Sequence, residues 1–199
     1  TLTVEQVLRE IEKDSVFDHR SAGGVTLSGG EATMQKCFSL GILKGCMARG
    51  FHTAIETCGH VKWDTLQSLL PFLDHIYIDI KHMSSTKHLA LTGRDNKLIL
   101  SNLEKMDNDS ADFCITVRIP VIPGVNDDAK NLNRTADLAS RLRKANRIEL
   151  LAYHRYGISM YDDLTLQYEL RSLETPSKEY LETIKDKINC ADIPVRIGG

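Results

Sequence analysis

Short runs of β-branched and aliphatic residues recur along the chain, each followed by a longer stretch with apolar positions at helical spacing. That alternation is the signature of βα units built around a parallel sheet, which makes the fold class α/β. The runs are Gly24–Ser28, His52–Thr57, His75–Ile80, Cys114–Ile119 and Arg147–His154, with a weaker one at Pro194–Ile197. Helical patterns fall between them at Thr33–Arg49, Asp64–Leu73, Asn96–Met106, Asp127–Ala145 and Ser177–Asn189. The chain opens on a helix. Thr3 and Gln6 have capping-box spacing, Leu2 stands where a hydrophobic staple would, and Val4, Val7, Leu8 and Ile11 share one face. A parallel α/β domain ordinarily begins with a strand, and no Met opens this chain. We therefore expect at least one further strand before Thr1 in a longer parent, with 1–199 forming a single domain.

Composition narrows the picture further. The 199 residues are 42% hydrophobic and 26% charged, the profile of a globular domain able to bury a core without metals or disulfides. No apolar run approaches the roughly 20 residues of a membrane span, and the N-terminus is polar rather than signal-like. Lys and Arg (25) nearly balance Asp and Glu (27), so no broad basic face for nucleic acid is expected. The five cysteines, Cys37, Cys46, Cys58, Cys114 and Cys190, are odd in number and widely spaced. They argue against a disulfide framework and for a reducing, cytoplasmic setting, and each reads as a small buried apolar residue before it reads as a ligand. The triplets Asn108-Asp109-Ser110 and Asn133-Arg134-Thr135 carry little weight without a secretory signal.

In parallel α/β folds the chemistry collects at the C-terminal ends of the strands. After the first run comes Ser28-Gly29-Gly30-Glu31, either a tight turn or a backbone cradle whose acid accepts hydrogen bonds from a ligand ammonium. Neither the dinucleotide nor the triphosphate glycine fingerprint is present. After the second comes Glu56-Thr57-Cys58-Gly59, equally a site or a solvated turn. In Ile76-Tyr77-Ile78-Asp79-Ile80-Lys81 the strand period of two puts Tyr77, Asp79 and Lys81 opposite three isoleucines. Charge facing inward is costly unless paired or used, and a ligand role is favoured over a purely structural Asp–Lys pair. Arg118 is likewise inward, opposite Ile115, Val117 and Ile119, and suits a carboxylate or a ribose hydroxyl; an internal pair with Asp79 is the alternative. Pro120 and Pro123-Gly124 are expected to end that strand. His154, closing the fifth run, either contacts an adenine ring or packs at the rim. Together these residues form a polar pocket of both signs, suited to a zwitterionic ligand with hydroxyls.

The segments Gly24–Glu31, Ile55–Gly59, Asp79–Met83, Leu91–Asn96, Val117–Asn126 and Leu150–His154, in this order, resemble the activating enzymes of glycyl radical enzymes, within the radical S-adenosylmethionine (SAM) class. The resemblance covers nearly the whole chain. It implies a partial (β/α)6 barrel of parallel strands that binds SAM and a [4Fe-4S] cluster. Ser28, Gly29, Gly30 and Glu31 match the segment that holds the SAM amino group. Asp79, Lys81, Arg118 and His154 match positions that contact its carboxylate, ribose and adenine region. Glu56 and Thr57 match a site near the carboxylate that can also hold a small cation. In the family an electron from the cluster cleaves SAM to a 5′-deoxyadenosyl radical, which takes a hydrogen from a glycine of the partner, a glycyl radical enzyme such as pyruvate formate-lyase. A flavodoxin- or ferredoxin-type protein supplies the electron.

Two departures from the pattern stand out. Ala32 stands where many relatives have Pro, and the family's CxxxCxxC iron ligands, which should precede the first helix, are not in this sequence. The cluster is then expected only in a full-length parent; this chain alone is expected to be inactive, with its first strand missing and an open edge that invites self-association. Two readings of other classes stay open: an aldolase-type barrel with Lys81 as a Schiff-base lysine, and a degenerate SAM-binding interaction module. Within the family, a ribonucleotide-reductase activator fits the chain length and the Arg118–Asn126 segment less well.

Overall fold

The computed structural model describes residues 2–21, 23–155, 161–168, 170–188 and 192–198. Cys190, and the Asn189 end of the expected last helix, lie outside the described residues. The strands are β1 (Gly24–Leu27), β2 (His52–Thr57), β3 (His75–Asp79), β4 (Cys114–Val121), β5 (Ala145–Ala152) and β6 (Val195–Gly198), all parallel and paired in sequence order. The helices are α1 (Val4–Ser21), α2 (Lys36–Ala48), α3 (Trp63–Leu69), α4 (Ser85–Thr92), α5 (Lys97–Asn108), α6 (Ala129–Arg141) and α7 (Lys178–Asp186). Six parallel strands in sequence order, alternating with helices, make the expected α/β partial barrel.

Strand period decides which side chains meet the helices. Ile55, Ile76, Ile78, Ile80, Ile115, Val117, Ile119, Ile148 and Leu150 are buried against Leu66 and Leu69 of α3, Leu103 and Met106 of α5, Leu132 of α6 and Ile184 of α7. The intervening positions, Glu56, Tyr77, Asp79, Thr116, Arg118, Arg147 and Glu149, take the opposite face. A sheet wrapped by helices on one side leaves its other face to polar groups, and the residues of that face at the C-terminal ends carry the site.

The first helix belongs to the packed domain. Thr3 N donates to Gln6 Oε1 at 2.8 Å and Gln6 N to Thr3 Oγ1 at 3.3 Å, the reciprocal capping box. Leu2 stays 62% exposed, so the expected staple does not close. Leu8 packs with Ile42, Cys46 and Phe51, flanked by Val4, Val7 and Ile11. Gly45 permits this approach, because a Cβ there would lie 2.3 Å from Leu8 Cδ1. Arg49 Nε, 2.5 Å from Glu12 Oε1, ties the C-terminal end of α2 to the middle of α1.

Several boundaries depart from expectation for local reasons. The Thr33–Arg49 helix starts as a 3₁₀ turn, Ala32–Gln35, because Glu31 caps the Thr33 amide. The Asp64–Leu73 helix gives way at Leu70 to a 3₁₀ turn containing Pro71, whose ring offers no amide to an α-helical ladder. The Asp127–Ala145 helix is shorter: Asp128 caps it, Leu142 ends it in extended conformation, and Ala145 already begins β5. Strand β5 stops at Ala152, so Tyr153 and His154 lie past it. Helix α4 has no counterpart among the expected helical patterns; Ser84 caps its start and Gly93, at φ +72°, its end. Pro120 does not end β4, which continues to Val121. Arg118 O accepts from Ile80 N, so Pro120, two residues on, turns its missing N–H toward β3, whose ladder is finished. Pairing with β5 is untouched, and Val121 O accepts from Tyr153 N at 3.1 Å. None of the described helices is long and apolar enough to cross a membrane.

Leu8→Ala is expected to lower stability by about 2–5 kcal/mol, the usual cost of emptying a packed leucine site. Urea unfolding measures it; an unchanged midpoint would mean that α1 is not part of the cooperative unit.

Candidate functional site

The register of the sheet sets Asp79 beside Arg118 on the polar face. Arg118 Nε donates to Asp79 Oδ1 at 2.9 Å. Its Nη1 lies 2.8 Å from Glu56 Oε1, and Nη2 donates to Glu56 Oε2 at 3.3 Å. The guanidinium carbon stands 5.4 Å from the centroid of the Tyr77 ring, so the side chain crosses from β4 over β3 to reach β2. Arg118 is only 9% exposed. Burial works against its charge, yet the bonds to Glu56 and Asp79 more than offset it and hold its pKa above the ordinary value. The internal pair with Asp79 considered from the sequence is present, and Glu56 joins it as a second carboxylate.

Glu31 joins the loop after β1 to the end of β2. Its Oε1 accepts from Thr33 N (3.3 Å), Thr33 Oγ1 (2.7 Å) and Thr57 Oγ1 (2.8 Å), and its Oε2 from Cys58 N (2.9 Å). Burial, the largest single influence, pushes its pKa up; the hydrogen bonds from Cys58, Thr33 and Thr57 together bring it below the usual carboxylate value. Burial also pushes the Cys58 thiol up. The Cys58 thiol also bonds this carboxylate, as a weak donor that a stronger one can displace. Before Glu31, Gly29 and Gly30 have φ of +80° and +52°, and a Cβ on either would meet nothing within 4 Å. Backbone conformation therefore calls for glycine here, and open space lies against exposed main-chain groups.

Lys81 lies two residues past β3. With Asp79, Cys58, His60, Arg94 and Thr92 it lines a cavity of about 250 Å³ at the C-terminal edge of the sheet. Ser28, Gly29 and Gly30 are exposed on the loop after β1, and His154 is exposed beyond β5, at the same edge. Tyr153 instead is the buried member of that pair, with its hydroxyl 2.8 Å from Tyr168 Oη and donating to Leu170 O. The predicted residues thus fall into two directly bonded groups, Glu31 with Thr57 and Glu56 with Asp79 and Arg118. Lys81 shares its cavity with Asp79, and the remaining four stand on the two flanking loops. A small cation at Glu56 and Thr57 would have to compete with Arg118 and Glu31 for the same oxygens. Sequence reasoning did not single out Thr33 and Cys58 as donors to Glu31, and only the preference of Thr for helix starts pointed that way.

The donor set suits SAM. Open backbone at Gly29-Gly30 and the Glu31 carboxylate match an ammonium group, the Lys81 ammonium matches a carboxylate, and the acids of the polar face match hydroxyls. An iron–sulfur cluster is not matched. Among the described residues no group of three or more His, Cys, Asp or Glu side chains could hold a metal ion, and Cys46 is buried between α1 and α2, away from the strand ends.

Glu31→Gln tests the carboxylate clasp. Because the folded-state pKa lies below the unfolded value, the contribution of Glu31 is complete above the unfolded pKa and fades as pH falls through the folded one. Urea unfolding should show E31Q less stable than the wild type at pH 7 and the gap closing below about pH 4.5, the unfolded value. A gap independent of pH would mean that ionisation of Glu31 plays no part. Arg118→Met is expected to cost about 1–3 kcal/mol by leaving two carboxylates unpaired, discounted for their partial exposure. Adding Asp79→Asn should recover part of that loss, and strictly additive losses would argue against the bridge.

Comparison with known proteins identifies the family. Residues 1–136 match the family model of the radical SAM superfamily. The trans-4-hydroxy-L-proline dehydratase activating enzyme of Clostridioides difficile is 38% identical over 99% of this chain, which covers 65% of that protein. The pyruvate formate-lyase-activating enzyme of Clostridium pasteurianum is 33% identical over 89% of the chain and 74% of its own length. A solved domain of pyruvate-formate lyase-activating enzyme from Bacteroides vulgatus is 32% identical and superposes with a TM-score of 0.71, covering 89% of this chain and 99% of that one. Against several curated relatives the chain spans 51% to 65% of their length. The family uses SAM and a [4Fe-4S] cluster. The chain belongs to the radical SAM superfamily and, within it, to the activating enzymes of glycyl radical enzymes.

Proposed function

We propose that 1–199 is the single SAM-binding barrel domain of an activating enzyme that installs a radical on a glycine of a partner glycyl radical enzyme, in the cytoplasm. The solved domain of nearly the same extent supports the domain reading. The observation that carries the functional reading is the arrangement at the C-terminal edge. Arg118 bridges Glu56 and Asp79, Glu31 is clasped by Thr57 and Cys58, and Lys81 lines the adjoining cavity.

In this reading Gly29, Gly30 and Glu31 receive the ligand ammonium, and Lys81 receives its carboxylate. The Asp79–Arg118 pair orients the ribose, and His154 borders the adenine. Bound SAM supplies, on one-electron reduction, the carbon radical that takes the glycine hydrogen. Flavodoxin- or ferredoxin-type donors are the proposed source of that electron. The curated relatives are named for different partners, among them a dehydratase and pyruvate formate-lyase, so pyruvate formate-lyase is one candidate of several. Since the described residues offer no cluster site, the chain by itself is proposed to bind SAM without cleaving it.

Isothermal titration calorimetry of the purified chain with SAM tests the reading. Lys81→Ala and Asp79→Asn are each expected to weaken binding about tenfold, roughly 1.4 kcal/mol. Affinity unchanged in both variants would contradict the assignment.

A further inference from the structure

The β3–β4 ladder reaches Ile80, whose N–H donates to Arg118 O at 2.9 Å, and Pro120 has no N–H with which to continue it. Asn126 takes over. Its Nδ2 donates both to Lys81 O at 3.0 Å and to Pro120 O at 2.7 Å, while its Oδ1 accepts from Ile122 N at 2.9 Å. The side chain is 1% exposed, and these three bonds nearly exhaust its capacity. Asn126 is itself held, because Asn131 Nδ2 donates to its carbonyl at 2.7 Å. The Oδ1 of Asn131 accepts from Met83 N at 2.8 Å, and Asn96 Nδ2 donates to His82 O at 3.0 Å. Residues 81–83 are thus gripped at each main chain by a buried asparagine from a different segment.

This matters for Lys81 in particular. Among the described residues no carboxylate lies within ion-pair distance of its ammonium. Its direction into the cavity is therefore set by the backbone it springs from rather than by a partner side chain. We propose that Asn126 is a positioning residue for ligand binding, acting through the main chain of Lys81 to set the ammonium against the carboxylate of SAM. This rests on the SAM-binding reading above. Asn126 never touches the ligand; it substitutes for the rung that Pro120 cannot supply.

The test is a double-mutant cycle on SAM affinity with Asn126→Asp and Lys81→Ala. Asn126→Asp keeps the volume and the acceptor for Ile122 N but removes both donations. Calorimetry should show binding weakened about tenfold in N126D and no further weakening when N126D is added to K81A. Leu8→Ala, remote from the site, controls for lost stability and should leave affinity unchanged. Hydrogen–deuterium exchange gives a reading without ligand: amides of 80–84 should exchange faster in N126D while those of β1 and β2 keep their protection. If the N126D loss is equally large in the K81A background, or matched by L8A, the positioning role is overturned while SAM binding stands. Unaltered exchange at 80–84 overturns it as well. If the unaltered chain fails to bind SAM, the functional reading falls and takes this inference with it.

Discussion

The acids Glu56 and Asp79 on the inner face of this sheet are held in place by one guanidinium. Arg118 leaves β4, passes over the Tyr77 ring on β3 and closes on Glu56 of β2, meeting Asp79 on the way. Two acids on adjacent strands would otherwise repel one another at a partly dehydrated surface. With the guanidinium between them they become a floor of reduced negative charge, net −1, beside the cavity. The same bridge fixes three strand ends relative to one another, and the loops that carry Cys58 and Lys81 start from those ends.

Around that floor polar side chains from loops and helices bond to the main chain at the strand ends. Glu31 is capping residue and clasp at once, taking donors from Thr33, Thr57 and Cys58. Asn126 and Asn131 bond the chain after β3 to the chain after β4, and Asn102 does the same after β2 through Gly59 O and Val61 O. A pocket at strand ends has no ladder to hold its walls, so buried side-chain amides do that work.

Much of this was legible in the sequence because strand period is a strong signal. The run from Ile76 to Lys81 sorts three isoleucines to the helices and Tyr77, Asp79 and Lys81 to the other face, and the structure follows it as far as Ile80, with Lys81 past the end of β3. The capping box at Thr3 and Gln6 is local chemistry and formed as written. What escaped was either short or long-range. Helix α4 has eight residues, too few for an apolar stripe in Ser85–Thr92 to show. Pro120 as a strand end failed because the harm a proline does depends on which neighbour its missing N–H would face. The reach of Arg118 to Glu56, 62 residues away, and the grip of Asn126 on Lys81 depend on which strands lie side by side, which no local pattern states.

The most direct test of the central claim, a SAM site at the C-terminal edge of the polar face, is a map of amide chemical-shift changes on adding SAM to the isotope-labelled chain. The account predicts saturable shifts at Gly29, Gly30, Cys58, Gly59 and Lys81, with the opposite end of the sheet around Asp74 and Asp112 unmoved. Shifts gathered at that opposite end, or none at saturating SAM, would contradict it.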